Sequence, residues 1–331
     1  LSQTLERTPA DLSRLCELID PKWIDEALAA TGKASIRKRK LPAQQVVWLV
    51  IGLALFRNQP IWHVVRQLDL CLDEHDCIVP SAAVQGRQRL GSEPLAQLFA
   101  QLSRAWGHQE PSPTSLRLRM LAVDGVVWST PDTPENRQAL GRERDSQHGA
   151  GAWPQIRAVC LMDTHSHELL DASMGGMDKG ELTLAASLQA PDHSLTVFDR
   201  AYFSAAHLLA WQAAGEQRHW LMRAKDNLRY EVLRTNALGD QLISMPISPR
   251  ARQLHPHLPA TWQARLIEVE LAGKTRCFIT SLLDVHRYSA RVSSFTVMNQ
   301  LLGAVCPAGR GPFPSLRSVV LVGHSAGAQF V

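Results

Sequence analysis

The sequence predicts an α/β protein in two parts, an all-α N-terminal domain followed by a mixed layer of strands and helices. Apolar residues recur at helical spacing up to about residue 110, most densely over residues 43–56. From residue 116 onward, short runs of β-formers alternate with helical stretches. The chain has 331 residues, of which 45% are apolar and 20% charged. It can therefore bury sizeable cores, and this composition argues against a disordered, collagen-like or coiled-coil protein.

The N-terminal domain is predicted over residues 1–110 as a series of amphipathic helices. Asp20 fits an N-cap with Pro21 in the first helical turn, and Ser81 fits the N-cap of a later helix. The predicted helices span residues 5–18, 21–30, 43–56, about 60–70, 82–90 and 94–106. A linker is predicted at 111–115, which reads Pro-Ser-Pro-Thr-Ser.

The second domain is predicted over residues 116–291 in the order strand, strand, strand, helix, strand, helix, strand. The predicted strands cover 116–124, 156–163, 168–174, 194–198 and 219–223, with β-like segments at 265–270 and 276–280, and the predicted helices cover 180–188 and 205–212. Residues 132–151 are polar and contain glycine, which is typical of a loop. This order predicts a mixed sheet covered by helices.

The tail, residues 292–331, differs in composition from the rest of the chain. Arg310 and Arg317 are its only charged residues, whereas about eight would be expected at the average frequency of the chain. Ser318–Gly327 resembles the nucleophile elbow of α/β-hydrolases, with Ser325 at the nucleophile position. Only four residues follow Gly327, so the acid and histidine partners of a triad cannot follow the serine in this chain. A hydrolase-like fragment remains a second alternative function.

Charge, cysteine content and hydropathy indicate the compartment. The formal net charge is +4, which permits a polyanionic partner without requiring one. Six cysteines are dispersed without a CxxC pair, as in reduced proteins of a cytosol-like compartment. The longest apolar run, residues 46–56, is too short to span a bilayer, and the N-terminus lacks a signal pattern. We therefore expect a cytoplasmic protein with no membrane partner.

Asp124 and Asp199 are the candidate catalytic residues. Each follows a run of β-formers, Met-Leu-Ala-Val before Asp124 and Leu-Thr-Val-Phe before Asp199. If the two strands are neighbours, both carboxylates lie at one edge of the sheet, where hard oxygen ligands suit Mg²⁺ or Mn²⁺. Two such ions can activate an attacking oxygen and stabilise a leaving oxygen at a phosphodiester. The alternative is that each aspartate only caps a turn or the next helix.

The residues around these aspartates resemble the motifs of a known family. Leu121-Ala-Val-Asp-Gly125 and Phe198-Asp-Arg-Ala-Tyr-Phe203 are similar to the first and second acidic motifs of bacterial DDE transposases of the insertion-element-four group. The N-terminal domain is also similar, through Arg37-Lys-Arg-Lys-Leu-Pro42, residues 46–57 and Arg87-Gln-Arg-Leu-Gly91. The resemblance covers about residues 5–291.

The resemblance implies an RNase H-like catalytic core with a β-rich insertion at about residues 226–284, behind a helical DNA-binding domain. It implies metal-dependent DNA nicking and strand transfer at the ends of an insertion sequence, with Asp124 and Asp199 as catalytic and metal-binding residues. The implied cofactor is Mg²⁺ or Mn²⁺. The implied partner is double-stranded DNA at the terminal repeats of the element, bound by a homodimer in the synaptic complex and associated with the bacterial nucleoid.

The third acidic residue of the family is missing from its expected place. In the family it lies on a late helix with the pattern Tyr-x-x-Arg-x-x-x-Glu-x-x-x-x-x-x-Lys. Tyr288-Ser-Ala-Arg291 supplies only the first half, Phe295 stands at the glutamate position, and no glutamate follows Tyr288. Composition changes at the same place. We therefore predict truncation or a frameshift after about Arg291, an out-of-frame or fused tail, and little or no strand transfer by this chain.

Basic residues in both domains are candidates for binding DNA phosphates, with release of counterions. The predicted DNA-contacting residues are Arg37, Lys38, Arg39, Lys40, Arg87 and Arg89 in the N-terminal domain and Arg200, Arg223 and Lys225 near the second acid. The alternative is that they are solvated charges on helix faces and strand ends. The alternative function is a non-catalytic DNA-binding transposase remnant that occupies element ends.

Overall fold

The computed structural model describes residues 18–34, 41–56, 58–68, 80–107, 116–141, 153–271 and 274–288. The chain divides into two compact units, Leu1–His108 and Gln109–Val331. Several predictions lie outside the described residues: the helix over 5–18 apart from its last residue, the basic run Arg37–Lys40, and the tail 292–331 with Ser325.

The N-terminal unit is helical, as predicted. Its described helices are α1 (Pro21–Ala30), α2 (Ala43–Leu55), α3 (Ile61–Gln67), α4 (Pro80–Leu90) and α5 (Glu93–Trp106). Their apolar faces share one core, which includes Ile24, Leu28, Leu49, Val64 and Leu98. In the described parts of the chain, no helix combines the length and apolar character that crossing a membrane requires.

The two predicted helix caps of this unit had different outcomes. Asp20 caps α1 as expected, because its Oδ1 accepts a hydrogen bond of 2.9 Å from the backbone N–H of Lys22. The prediction that Ser81 is an N-cap was wrong. The helix α4 begins at Pro80, whose fixed φ suits a first helical position, so Ser81 lies inside the first turn.

The second unit contains nine described strands and four described α-helices. The strands are β1 (Arg119–Ser129), β2 (Gln155–Asp163), β3 (Leu169–Gly176), β4 (Ser194–Phe198), β5 (Arg218–Arg223), β6 (Glu231–Ala237), β7 (Asp240–Pro246), β8 (Thr261–Leu271) and β9 (Lys274–Thr280). The helices are α6 (Pro134–Leu140), α7 (Glu181–Ala185), α8 (Ala205–Ala213) and α9 (Pro249–Leu254). The predicted order of the elements from β1 to β5 is therefore confirmed, apart from the additional helix α6.

All nine strands form one mixed sheet in the order β3-β2-β1-β4-β5-β9-β8-β7-β6. The strand β1 is antiparallel to β2 and parallel to β4, and β4 is parallel to β5. This is the RNase H-like arrangement that the resemblance implied. Strands β6 to β9, within the segment expected as an insertion, extend the same sheet because β9 pairs antiparallel with β5.

Two sequence predictions in this unit need correction. The strand β1 does not end at Asp124 but continues to Ser129, because its ladder with β2 continues to the pair Ser129↔Gln155. The predicted loop 132–151 contains the helix α6. Thr133 caps α6 through a hydrogen bond of 3.2 Å from Asn136 N–H to its Oγ1, and Pro134 occupies the first turn.

A buried ion pair ties β7 and β8 to the chain that follows β9. Arg265, 1% exposed, donates from Nε and Nη2 to the two carboxylate oxygens of Asp240 at 2.8 and 2.6 Å. Its Nη1 also donates to the carbonyl oxygens of Leu282 and Tyr288. Burial alone would raise the pKa of Asp240, but the hydrogen bonds from Arg265 outweigh it and the pKa is lowered. The pair is therefore ionised, and all three nitrogens of the guanidinium group donate hydrogen bonds.

We expect Arg265→Ala to lower the free energy of unfolding by about 3–5 kcal/mol, because it leaves the Asp240 carboxylate buried without its counter-charge. Urea unfolding followed by tryptophan fluorescence measures this change. The control is Arg250→Ala, which removes an exposed arginine of α9 and should change stability by less than about 0.5 kcal/mol. Equal unfolding midpoints for the two variants would contradict the role assigned to Arg265.

Candidate active site

The parallel ladder between β1 and β4 brings Asp124 and Asp199 to adjacent positions. The last pair of this ladder is Val123↔Phe198, and the two aspartates are the next residues on their strands. Val123 and Phe198 are both buried in the core under α7 and α8. The aromatic ring of Phe198 packs edge-on against Trp211 of α8 at 5.1 Å between centroids. A rigid apolar base therefore fixes the position from which both aspartates emerge.

Each aspartate is anchored by a backbone hydrogen bond to its own carboxylate. Asp124 Oδ1 accepts from Gly125 N–H at 2.8 Å, and Asp199 Oδ1 accepts from Arg200 N–H at 2.6 Å. Asp199 in this way caps a single 3₁₀ turn, Arg200–Tyr202. The capping role considered as an alternative is therefore real for Asp199, and it does not consume the whole carboxylate.

The two carboxylates carry negative charge that no cationic side chain compensates within the described residues. The described ion pairs include neither Asp124 nor Asp199. Asp124 keeps solvent contact, yet the surrounding protein removes enough water to raise its pKa. The Gly125 hydrogen bond opposes this rise in pKa, and the charge of Asp199 adds to it. Two adjacent, mutually repelling carboxylates favour a cation between them.

The donor set fits a hard divalent ion. Carboxylate oxygens, completed by water and phosphate oxygens, are the ligands that Mg²⁺ and Mn²⁺ prefer. Among the described residues, no group of three or more His, Cys, Asp or Glu side chains is arranged to hold a metal. Asp124 and Asp199, the pair that the sequence predicted, are the candidate ligands at this point.

The three predicted DNA-contacting residues of this unit lie close to the second aspartate. Arg200 Nη1 is 3.3 Å and Arg223 Nη2 is 3.9 Å from the carboxylate of Asp226, which is itself largely exposed. Lys225 Nζ lies 5.0 Å above the ring of Phe203. The exposed carboxylate of Asp226 thus pairs with both Arg200 and Arg223, and both arginines keep contact with solvent.

The predicted contacts of the N-terminal unit are described in part. Arg87 and Arg89 are exposed in the last turn of α4. The run Arg37–Lys40 lies outside the described residues.

Sequence reasoning missed two residues near the aspartates, Glu181 and Tyr202. Glu181 is the first residue of α7, where an acid reads as an ordinary helix-start charge. Tyr202 lies within the second acidic motif and is buried. In the sequence, Glu181 is recognisable only as an acid after Gly180 at the start of an apolar helix. This pattern does not distinguish a site residue from an ordinary helix start.

Comparison with known families identifies the chain. A family model described as insertion element 4 transposase N-terminal matches residues 9–100, and one described as transposase DDE domain matches residues 116–292. The chain belongs to the IS4 family of DDE transposases. Membership of a DDE family implies divalent-metal dependence in general terms.

Two curated relatives from Escherichia coli K12 agree with this assignment. The chain is 39% identical over 280 residues to InsG, the transposase of insertion sequence element IS4. This match covers 84% of the chain but only 63% of InsG. A second relative, InsZ, is 34% identical over 231 residues, covering 68% of the chain and 76% of InsZ. This IS4-family chain therefore spans less than two thirds of the length of InsG.

Solved structures are similar only at a distance. The piggyBac transposase, in a synaptic complex with hairpin DNA, matches 90% of this chain and 67% of its own, with 12% identity and a TM-score of 0.38. The endonuclease V of Streptomyces avermitilis matches 65% of this chain and 87% of its own, with 14% identity and a TM-score of 0.25. The assignment to the IS4 family rests on the sequence matches.

We expect Asp124→Asn to stabilise the metal-free protein at pH 7 by about 0.5 kcal/mol, a value reduced by solvent screening of this carboxyl. The folded-state pKa of Asp124 is raised, so its ionisation disfavours the folded state above that pKa. Below the ordinary pKa of 3.8 the carboxyl is protonated in both the folded and the unfolded state, so this loss of stability disappears. Thermal unfolding in EDTA should thus show a stabilisation at pH 7 that vanishes in acid.

The control for this measurement is Asp178→Asn, which neutralises an exposed aspartate between β3 and α7. It should leave the stability at pH 7 unchanged. Added Mg²⁺ should stabilise the wild-type protein more than Asp124→Asn, because only the wild type keeps both carboxylates. A stabilisation of both variants by the same amount in EDTA would contradict the electrostatic origin.

Proposed function

We propose that this IS4-family chain contains the end-binding domain and the two-aspartate part of the active site of an insertion-sequence transposase. The reaction is metal-dependent nicking and strand transfer at the ends of the element. The observation that carries the proposal is the placement of Asp124 and Asp199 at adjacent positions past the β1–β4 ladder without a compensating cation in the described residues. DNA as the substrate places the protein at the nucleoid of a bacterial cytoplasm.

Asp124 and Asp199 would hold Mg²⁺, or Mn²⁺ in its place. When bound, the metal supplies activation of the attacking oxygen and stabilisation of the leaving oxygen at the phosphodiester. The residues of the chain supply the positions. The backbone hydrogen bonds from Gly125 and Arg200 fix one oxygen of each carboxylate, and the other oxygen accepts no hydrogen bond from the described residues.

Arg200 and Arg223 are suited to grip the DNA phosphates next to the scissile bond. Their shared partner Asp226 is largely exposed, so this ion pair is weak and a phosphate can replace the carboxylate. Lys225, lying over Phe203, adds a third positive charge in the same stretch. Guanidinium groups bind phosphate oxygens in a bidentate manner, which fixes the orientation of the strand.

We assign residues 1–110 to recognition of the terminal repeats and residues 116–291 to the catalytic core with the insertion at 226–284. In the N-terminal domain, Arg87, Arg89 and the run Arg37–Lys40 would contact the phosphates of double-stranded DNA. Pairing of the two element ends calls for a homodimer in the synaptic complex.

The strand-transfer activity of this 331-residue chain should be weak or absent. The transposase-domain match reaches residue 292, next to the break in composition after Arg291, and no glutamate follows Tyr288. A site with two of the three carboxylates of the family holds a second metal ion poorly. We therefore assign residues 292–331 to an out-of-frame or fused tail. The alternative function is a non-catalytic remnant that binds element ends, and the same missing acid favours it.

The test compares binding and cleavage on DNA that contains the terminal repeats of the element. We expect the purified chain to shift this DNA in gels without metal and to give little or no strand transfer with Mg²⁺ or Mn²⁺. Residual nicking that Asp124→Asn abolishes would favour the catalytic assignment, whereas binding without any cleavage would favour the remnant. Robust strand transfer would contradict the predicted defect, and failure to bind the DNA would overturn both functions.

The double substitution Arg87→Ala and Arg89→Ala should weaken DNA binding uniformly across sequences and reduce the salt slope, d log K/d log [salt], by about 2, one unit per lost phosphate contact. Fluorescence anisotropy at several salt concentrations measures both effects. Lys22→Ala, which removes an exposed charge on α1, is the control and should leave the slope unchanged. An unchanged slope in the double variant would show that these arginines do not contact DNA phosphates.

A further inference from the structure

Glu181 lies against the strand that carries the first aspartate. A Cβ placed on Gly125 would be 3.0 Å from both Cδ and Oε1 of Glu181. Because Gly125 follows Asp124, the missing side chain creates the space in which this carboxylate lies. The charges of Asp124 and Asp199 both reach Glu181, where they add to the effect of burial in raising its pKa, against the opposing effect of Arg157. Three carboxylates thus share one electrostatic environment.

The positive charge next to Glu181 is only loosely engaged. Arg157 Nε is 3.9 Å from Glu181 Oε1, which is longer than a charge-assisted hydrogen bond. The other end of the same guanidinium is bound elsewhere, since Nη1 donates to the backbone oxygen of Lys179 at 2.6 Å. Arg157 therefore positions the carboxylate without neutralising it through direct contact.

A buried hydroxyl lies next to these acids. Tyr202 is 1% exposed, and its hydroxyl forms no hydrogen bond of ordinary geometry with the described residues, although it is close enough to Glu181 to lower the pKa of that carboxyl. Burial raises the pKa of Tyr202, and the charges of Glu181, Asp124 and Asp199 raise it further. The hydroxyl therefore stays protonated and close to all three acids. A buried hydroxyl that meets a neighbouring carboxylate only at poor geometry indicates that another group, such as a bound water, completes its hydrogen bonding.

We propose that Glu181 and Tyr202 form an outer layer of the divalent-cation site and bind the water shell of the ion that Asp124 and Asp199 hold. This inference rests on the proposed function. Among the described residues no three ligand-type side chains are arranged to hold a metal directly, so Glu181 acts through water. Mg²⁺ keeps several of its waters when it binds to proteins, and these waters are hydrogen-bonded partners for a carboxylate and a hydroxyl.

The proposal defines these residues as positioning residues that increase cation affinity. Removal of a partner in the outer layer of a metal site reduces metal affinity by about 10–100-fold. Glu181 attracts the cation through its negative charge and also binds water, whereas Tyr202 contributes only the hydrogen bond of its hydroxyl. Substituting each residue in turn therefore separates the effect of charge from that of hydrogen bonding.

The test is titration of the full chain with Mn²⁺, followed by calorimetry and by the electron paramagnetic resonance signal of the free ion. We expect Glu181→Gln to weaken Mn²⁺ binding about ten-fold and Tyr202→Phe to weaken it by a smaller factor. Glu268→Gln, an exposed glutamate on β8, is the matched control and should bind as the wild type does. The double variant Asp124→Asn, Asp199→Asn should lose binding.

Thermal unfolding of Tyr202→Phe tests whether misfolding could account for a lower Mn²⁺ affinity. Because the hydroxyl forms no hydrogen bond of ordinary geometry with the described residues, its removal should change the midpoint of thermal unfolding in EDTA little, while Mn²⁺ affinity still falls. Wild-type affinity in both Glu181→Gln and Tyr202→Phe, with binding lost in the double aspartate variant, would overturn this inference and leave the proposed function standing. No Mn²⁺ binding by the wild-type chain would overturn both.

Discussion

The parallel pairing of β1 with β4 is the constraint on which the rest of the site depends. It ends at Val123↔Phe198, and this end point sets the spacing of the two carboxylates. A shift of this ladder by one residue would turn one aspartate to the other face of the sheet, because side chains alternate along a strand. The apolar packing of Phe198 against Trp211 resists that shift. The register of two core strands is therefore the basis of the proposed chemistry.

The same geometry creates a local cost in stability. Asp124, Asp199 and Glu181 repel one another, and burial removes part of the water that would otherwise screen them. Apolar or amide side chains at these positions would suit folding better. Such a concentration of unfavourable charge is typical of functional sites. The remaining structure offsets it through the apolar core beneath and through a sheet that continues on both sides of β1 and β4.

The sheet continues beyond β5 through strands β6 to β9, which lie in the segment proposed as an insertion. This segment returns through β9, which pairs with β5, so it extends the sheet instead of interrupting it. The Arg265–Asp240 pair then links the insertion to the backbone at Leu282 and Tyr288. Burial of this pair favours one arrangement of the insertion, because any other would leave a charge unpaired in the interior.

The sequence by itself determined the fold class, the order of the core elements up to β5, and the identity of the candidate aspartates. It placed β4 at residues 194–198 with both bounds correct, since a buried strand is a short apolar run with polar ends. It did not predict β6, whose side chains are mostly exposed and therefore lack an alternating pattern. Only the tertiary structure decided that β1 extends past Asp124 and that Glu181 lies beside the first acid. These features depend on contacts between segments far apart in the chain, which no local pattern of residues encodes.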